Sequence, residues 1–301
     1  MAGKYFIGID LGGTKILTAV AGKNGRIIAS VKLDTNATSG PERVMRNIGR
    51  SVDLVLSKAK ITLKDISCIG VGAPGPIVDE GIIIAPPNLP GFGKFDLRKK
   101  LTAMFRKKVV VENDANAAAM AEYLWGAGKG SKNFVYLTIS TGIGGGMIIN
   151  GKLYKGSLGT AGELGHMVID VNGPKCGCGN YGCLEAMASG PAIARMAGRK
   201  TALEVIESAR KGDRKCLKAI GTAGRYIGIG IAGISNILNP DIVAVGGGVS
   251  NMGSLLFKPI KAWGKAYTVK AARGFAQITA AKLKNEVGVL GAIAICMKGD
   301  D

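Results

Sequence analysis
The chain's only histidine, His166, and three of its six cysteines, Cys176, Cys178 and Cys183, fall within one short stretch, 159–185, GTAGELGHMVIDVNGPKCGCGNYGCLE. Two thiols separated by one residue, a third five residues on and an imidazole upstream make a compact donor set. Soft thiolates with imidazole select Zn2+. Gly177, Gly179 and Gly182 stand among the cysteines and let the backbone turn around an ion. All four tetrahedral positions would be filled by protein, which leaves no place for a reactive water. The spacing therefore predicts a closed structural site rather than a catalytic one. The competing reading is three free thiols and one core histidine. Glu163 and Glu185 flank the cluster, and a metal in the middle would draw these carboxylates toward one place. Ligation through one ring nitrogen of His166 leaves the other able to donate to a hydroxyl.

Three glycine-rich turns offer a second kind of chemistry. The apolar strand 5–10 ends in Asp10, the turn Leu11-Gly12-Gly13-Thr14-Lys15 follows, and 16–21 resumes a strand. This is a hairpin, not the strand–turn–helix of a dinucleotide fold, and it lacks the Walker A spacing. Gly12 and Gly13 let phosphates approach the backbone, Thr14 supplies a hydroxyl and Lys15 a cation. Asp10 suits Mg2+, directly or through water. Taken alone, the same residues also read as an ordinary hairpin turn. The arrangement recurs at 134–139, where Ser140-Thr141-Gly142-Ile143-Gly144-Gly145-Gly146 forms a turn before the strand 147–149. A third turn, Gly246-Gly247-Gly248, follows the strand 241–245. Three such turns together point to phosphate and nucleoside contacts.

The segment 112–122, ENDANAAAMAE, runs from the strand 108–111 into an alanine-rich helix. Asn113 and Asp114 stand at the junction, where free N–H groups and the positive end of the helix lie. Asp114 reads either as an N-cap or as a base held beside a polar ligand. Asn116 adds another polar side chain in the same turn.

Hydrophobic spacing predicts helices over 41–59, 95–105, 191–197, 202–209, 216–238, 255–267 and 286–297, and strands over 26–33, 66–71 and 278–283. The proline–glycine loops 72–76 and 86–92 are candidate ligand rims, and Asn88 is a polar contact in the second. The repeated strand–turn–strand unit implies an internally duplicated α/β architecture. The division expected is a smaller domain, 1–113 closed by 286–301, and a larger domain, 114–285, that carries the cysteines.

Forty Lys and Arg against 21 Asp and Glu give a net charge of +19. Such a field attracts nucleic acid or a polyphosphate alike. The basic runs 98–100 and 106–108 read as solvated faces, and no array of basic and aromatic residues resembles an RNA- or DNA-reading surface. No nucleic-acid partner is expected. The apolar stretch 227–238 is too short to span a bilayer. Residues 2–4 lead straight into a strand, with no room for a signal peptide. No membrane partner and a cytoplasmic location are expected. Cys68, Cys216 and Cys296 read as core or surface thiols.

Together the motifs DLGGTK (10–15), ENDANAA (112–118), STGIGGG (140–146), GTAGELGHM (159–167), CGCGNYGCLE (176–185) and VGGG (245–248) resemble those of the ROK family of sugar kinases, over essentially the whole chain. The resemblance implies a two-domain actin-like (ribonuclease H-like) ATPase fold with an interdomain active-site cleft. It implies ATP and Mg2+ at Asp10, Gly12, Gly13, Thr14, Lys15, Thr141 and Gly142, with Gly246 and Gly247 beside the nucleotide. It makes Asp114 the general base for a hexose O6 hydroxyl. Asn88, Asn113, Asp114, Glu163, His166 and Glu185 become sugar contacts, and His166, Cys176, Cys178 and Cys183 the ligands of a structural zinc. Glucose is the first hexose expected; N-acetylglucosamine, N-acetylmannosamine, mannose and fructose stay open. The loop reads NLPGF where many relatives carry Trp after the glycine. A homodimer or homotetramer is implied. Family members that repress transcription usually carry an added N-terminal winged helix, and this chain begins at the first kinase strand, so a kinase is expected over a regulator.

Overall fold
The computed structural model describes residues 4–86 and 88–298. Ala2 and Gly3 of the expected lead, Pro87 of the second proline loop and 299–301 of the expected closing segment lie outside the described residues.

In chain order the strands and helices are β1 (Tyr5–Leu11), β2 (Lys15–Ala21), β3 (Ile27–Asp34), α1 (Pro41–Ala59), β4 (Ile66–Ala73), β5 (Ile77–Val78), β6 (Ile82–Ile84), β7 (Lys94–Asp96), α2 (Leu97–Phe105), β8 (Val109–Asn113) and α3 (Asp114–Trp125). There follow β9 (Phe134–Ile139), β10 (Ile143–Ile149), β11 (Lys152–Leu153), α4 (Leu184–Ala188), α5 (Gly190–Ala197), α6 (Ala202–Arg210), α7 (Arg214–Leu238), β12 (Ile242–Gly246), α8 (Ser254–Tyr267), β13 (Gln277–Ala280) and α9 (Val287–Lys298). The chain forms two units. One is Met1–Gly126, Tyr154–Ala161 and Asn285–Asp301; the other is Ala127–Leu153 and Gly162–Lys284.

Each unit is built on a mixed five-stranded sheet, and the two sheets have the same plan. In the first the order is β3-β2-β1-β4-β8, in the second β11-β10-β9-β12-β13. In both, the first three strands form antiparallel hairpins and the last two join in parallel. The duplication expected from the repeated motif is present, and it places the turns 12–14 and 140–142 at corresponding hairpins. The third turn, at the end of β12, corresponds to the loop 72–76 at the end of β4.

The first unit shows how sequence sets these elements. In α1, Pro41 occupies the first turn, and Val44, Ile48, Val52, Val55 and Leu56 are buried along one face against β2 and β3. Lys60 in the left-handed region ends the helix. Helix α9 packs on β1 and β4. Its backbone lies so close that side chains at Gly8 and Gly70 would strike the Val289 and Ala292 carbonyls. In the second unit, Ile220, Ile227 and Ile231 of α7 are buried, as are Leu256 and Ile260 of its neighbour α8.

Three expectations are corrected. The boundary falls after Gly126 rather than at 113/114, because α3 packs against α9 and stays with the first sheet. Gly144, Gly145 and Gly146 lie inside β10, not in the turn. Gly145 is needed there because a side chain would meet the Leu164 side chain and the Tyr136 carbonyl. Cys68 and Cys296 are not thiols but a disulfide joining β4 to α9, with Cα atoms 5.9 Å apart. Cys216 is a buried thiol, as expected.

The disulfide closes a loop of 228 residues. Restricting the unfolded chain in this way stabilises by up to about 5 kcal/mol. Reduction is expected to lower Tm, and Cys68→Ala is expected to melt at the reduced temperature with or without reductant. Denatured, chelated, unreduced protein should titrate four thiols of its six cysteines; six would show that the pair does not form. Among the described residues no helix is long and apolar enough to cross a membrane.

Candidate active site and metal centre
In the first unit the candidate residues gather at one edge of the sheet. Strand register sets Asp10 beside Gly72 and Gly72 beside Glu112. Adjacent strands lie about 4.8 Å apart, so the backbones at Asp10 and Glu112 are separated by roughly 10 Å. Gly72 lies between them without a side chain. Asn113 and Asp114 follow Glu112 directly, so the acid of the first turn and the acid heading α3 share the C-terminal edge of parallel strands.

Asp10 is partly buried at the end of β1. Burial raises its carboxyl above the ordinary 3.8, and the Lys15 ammonium works against that rise. A carboxylate whose charge is penalised by burial gains from a nearby cation, so the residue fits the expected Mg2+. Because its folded pKa exceeds the unfolded one, the native state holds this proton more tightly than the unfolded chain. That stability is present below the ordinary carboxylate value and is lost as pH rises through the raised pKa. Asp10→Asn is therefore expected to raise Tm at pH 7, and to lose this advantage at acidic pH, in melts without nucleotide or Mg2+. An unchanged or lower Tm at pH 7 would contradict the burial cost.

Thr14 and Lys15 are exposed beside Gly12 and Gly13. The Asn88 backbone packs so close to Gly13 that a side chain there would come within 2.7 Å of the Asn88 carbonyl. The second proline loop thus lies against the first glycine turn, with Asn88 exposed.

Asn113, not Asp114, caps α3. Its Oδ1 accepts the N–H groups of Ala115 and Asn116 at 2.9 and 3.2 Å. Its Nδ2 donates to the Gly75 carbonyl at 3.2 Å, tying the first proline loop to the helix. Asp114 is exposed at the first helical position, where its Oδ1 also accepts the Ala115 N–H at 2.8 Å. Glu112 was not singled out from sequence, although it opens the ENDANAA run. It is buried and accepts from the Asn113 N–H at 3.0 Å and the Asn116 Nδ2 at 3.1 Å. Lys155 lies 3.6 Å away. Gly288 of α9 was also missed. A side chain there would come within 2.5 Å of the Asp10 carboxylate.

In the second unit the structure brings together His166, Cys176, Cys178 and Cys183, with one ligand atom from each lying within 4.8 Å of the others. Cys178 and Cys183 sulfurs are 3.6 Å apart, and Cys176 Sγ is 3.6 Å from His166 Nδ1. The edge of a tetrahedron with Zn–S bonds of 2.3 Å is about 3.8 Å, so the four donors fit zinc. Burial pushes the Cys183 thiol up to about 12 and raises Cys176. The Asn180 backbone N–H holds Cys178 below its ordinary value. Packed thiols of this kind resist ionisation together unless a cation joins them.

Both flanking acids reach this cluster. His166 Nε2, turned from the sulfurs, lies 3.9 Å from Glu163 Oε2. Glu185 Oε1 is 3.8 Å from Cys176 Sγ, and its Oε2 accepts the Ile143 N–H at 2.8 Å. Thr141 and Gly142 form the turn beside that bond. Gly246 ends β12, and Gly247 has φ +80 where a side chain would meet the Ile139 backbone.

The fold is a mixed α/β plan in two units, each built on an open five-stranded sheet and each carrying its own set of candidate residues. The ROK family model matches residues 6–298. A glucokinase of Halalkalibacterium halodurans is 37% identical over 97% of this chain and 94% of its own. A ROK glucokinase from Streptomyces griseus, solved with glucose and AMPPNP, superposes with a TM-score of 0.83 at 33% identity, covering 97% of this chain and 98% of its own. A xylose repressor of Caldicellulosiruptor bescii is 32% identical over 96% of this chain and 77% of its own. The chain belongs to the ROK family and is an ATP-dependent kinase of that family.

Proposed function
We propose that this protein transfers the γ-phosphoryl group of ATP to the O6 hydroxyl of a hexose, with glucose as the preferred acceptor. The observation that carries this reading is the shared strand edge bearing Asp10 and Asp114, with the capping duty of α3 taken by Asn113. Asp114 accepts the O6 proton as that oxygen attacks the γ-phosphorus; the bond to the β–γ bridging oxygen breaks and ADP leaves. Lys15, the N–H groups of the turn at Gly12, Gly13 and Thr14, and the turn at Thr141 and Gly142 hold the phosphates, with Gly246 and Gly247 beside the nucleoside. Magnesium at Asp10 would offset charge on the phosphate oxygens. Glu163, His166, Glu185, Asn88 and Asn113 hold the sugar hydroxyls, and zinc at His166, Cys176, Cys178 and Cys183 would fix His166 and place both glutamates. Asn113 reaches this role with Oδ1 engaged in the cap, so its remaining Nδ2 hydrogen is the group it offers. The protein works as a homodimer or homotetramer in the cytoplasm, where ATP is held.

The NLPGF loop, with Phe92 after the glycine, motivates a second reading that keeps the kinase and changes its acceptor to mannose, fructose, N-acetylglucosamine or N-acetylmannosamine. A coupled ADP-release assay across glucose, mannose, fructose, N-acetylglucosamine and N-acetylmannosamine separates the two. Hexose-dependent ADP release, fastest with glucose, is the expected result. Faster release with another of these sugars than with glucose would overturn the choice of acceptor.

A further inference from the structure
We propose that Gly142 is a positioning residue for hexose recognition, acting through Glu185. The inference rests on the reading of Glu185 as a hydroxyl contact. The motif containing Gly142 assigns it to the phosphate donor, but its surroundings tie it to the acceptor side.

The Glu185 carboxylate is held on two sides. Oε2 accepts the Ile143 N–H at 2.8 Å, and Oε1 faces Cys176 Sγ at 3.8 Å. A Cβ on residue 142 would stand 2.5 Å from Oε2 and 3.4 Å from the carboxyl carbon and, its chain neighbours aside, would meet no other atom of the described residues within 4 Å. The backbone therefore has room for a methyl group at 142, and the carboxylate does not. The displaced atoms are the far end of a side chain with rotatable bonds, so alanine would move the carboxylate and leave the turn standing. That movement breaks the bond to Ile143 and shifts Glu185 relative to the His166 cluster. Gly142 and the Ile143 N–H thus form the seat of the acid: one leaves the space, the other fixes the oxygen within it. The turn sets acceptor affinity as well as touching the donor.

The test is calorimetric titration of glucose, without nucleotide, into the full-length zinc-loaded protein and its variants, with MgADP titrated separately. Gly142→Ala is expected to raise the glucose Kd at least fivefold, to raise the MgADP Kd by a smaller factor, and to keep one zinc per chain. In the Glu185→Asp background, where the carboxylate withdraws by one methylene, adding Gly142→Ala is expected to change the glucose Kd less than twofold, because the space is already open. A glucose effect below fivefold, a larger effect on MgADP than on glucose, or an undiminished effect in the Glu185→Asp background would overturn the proposal. So would loss of zinc or of the folded state, since the methyl group would then be meeting more than the carboxylate. Glu185→Gln tells the two failures apart. If it weakens glucose binding while Gly142→Ala does not, only the positioning role falls. If it binds glucose as the parent does, the hydroxyl-contact reading falls and the proposal with it.

Discussion

Asp114→Asn is expected to lower kcat for hexose phosphorylation by about 10²–10⁴, the usual contribution of a positioned general base. Hexose Kd and Tm should move little. Asparagine keeps the size of the side chain and an oxygen able to accept the Ala115 N–H now shared by Asp114 and Asn113. What it removes is the ability to take a proton. The neighbouring Asn113→Ala is expected to behave in the opposite way. It deletes the cap of α3, the bond to the Gly75 carbonyl and the Nδ2 hydrogen offered to the sugar, so it lowers stability, by about 1 kcal/mol for the cap, and raises hexose Kd, with kcat at saturating hexose moved less. The contrast separates proton transfer from placement at adjacent residues. Near-normal turnover by Asp114→Asn, measured by coupled ADP release at saturating hexose, would sink the base assignment.

That contrast also shows what sequence could and could not tell. The junction of a strand and an alanine-rich helix was legible at 112–122, because apolar periodicity and polar first-turn residues are local signals. Which of Asn113 and Asp114 caps the helix was not. Both types serve at that position, and the choice depends on where Gly75 meets the strand end. The hairpin turns and the duplicated plan were legible from the repeated glycine motifs. The inclusion of Gly144, Gly145 and Gly146 in β10 was not, since glycine signals a turn locally and a close approach only when Leu164 is known to lie over it. The same holds for Cys68 and Cys296. Each sits in an apolar run that reads as core, and only the packing of α9 on β4 brings them together. The metal donors were legible because their spacing is short enough to carry its own geometry. Gly288 carried no local signal, since its neighbour Asp10 lies at the other end of the chain.

Removing the metal donors is the second large expected effect. Cys183→Ala should reduce zinc content from about one per chain to near zero, because a closed four-donor site loses a buried thiolate. It should also lower kcat/KM for the hexose by roughly 10²-fold, the equivalent of about 2.7 kcal/mol and within the worth of one or two charge-assisted hydrogen bonds. The reason is placement. His166 Nδ1 faces the sulfurs while Nε2 faces Glu163, so an unligated ring is released to rotate away from that carboxylate. Glu185 loses its fixed neighbour at Cys176. MgADP affinity should change less, because the first glycine turn and Asp10 are built on the other sheet. The loss should appear mainly in hexose KM, with kcat at saturating hexose reduced less. A metal-free Cys183→Ala variant with parental hexose KM would show that the cluster serves the fold alone. Parental protein containing no zinc while fully active would remove the metal from the account.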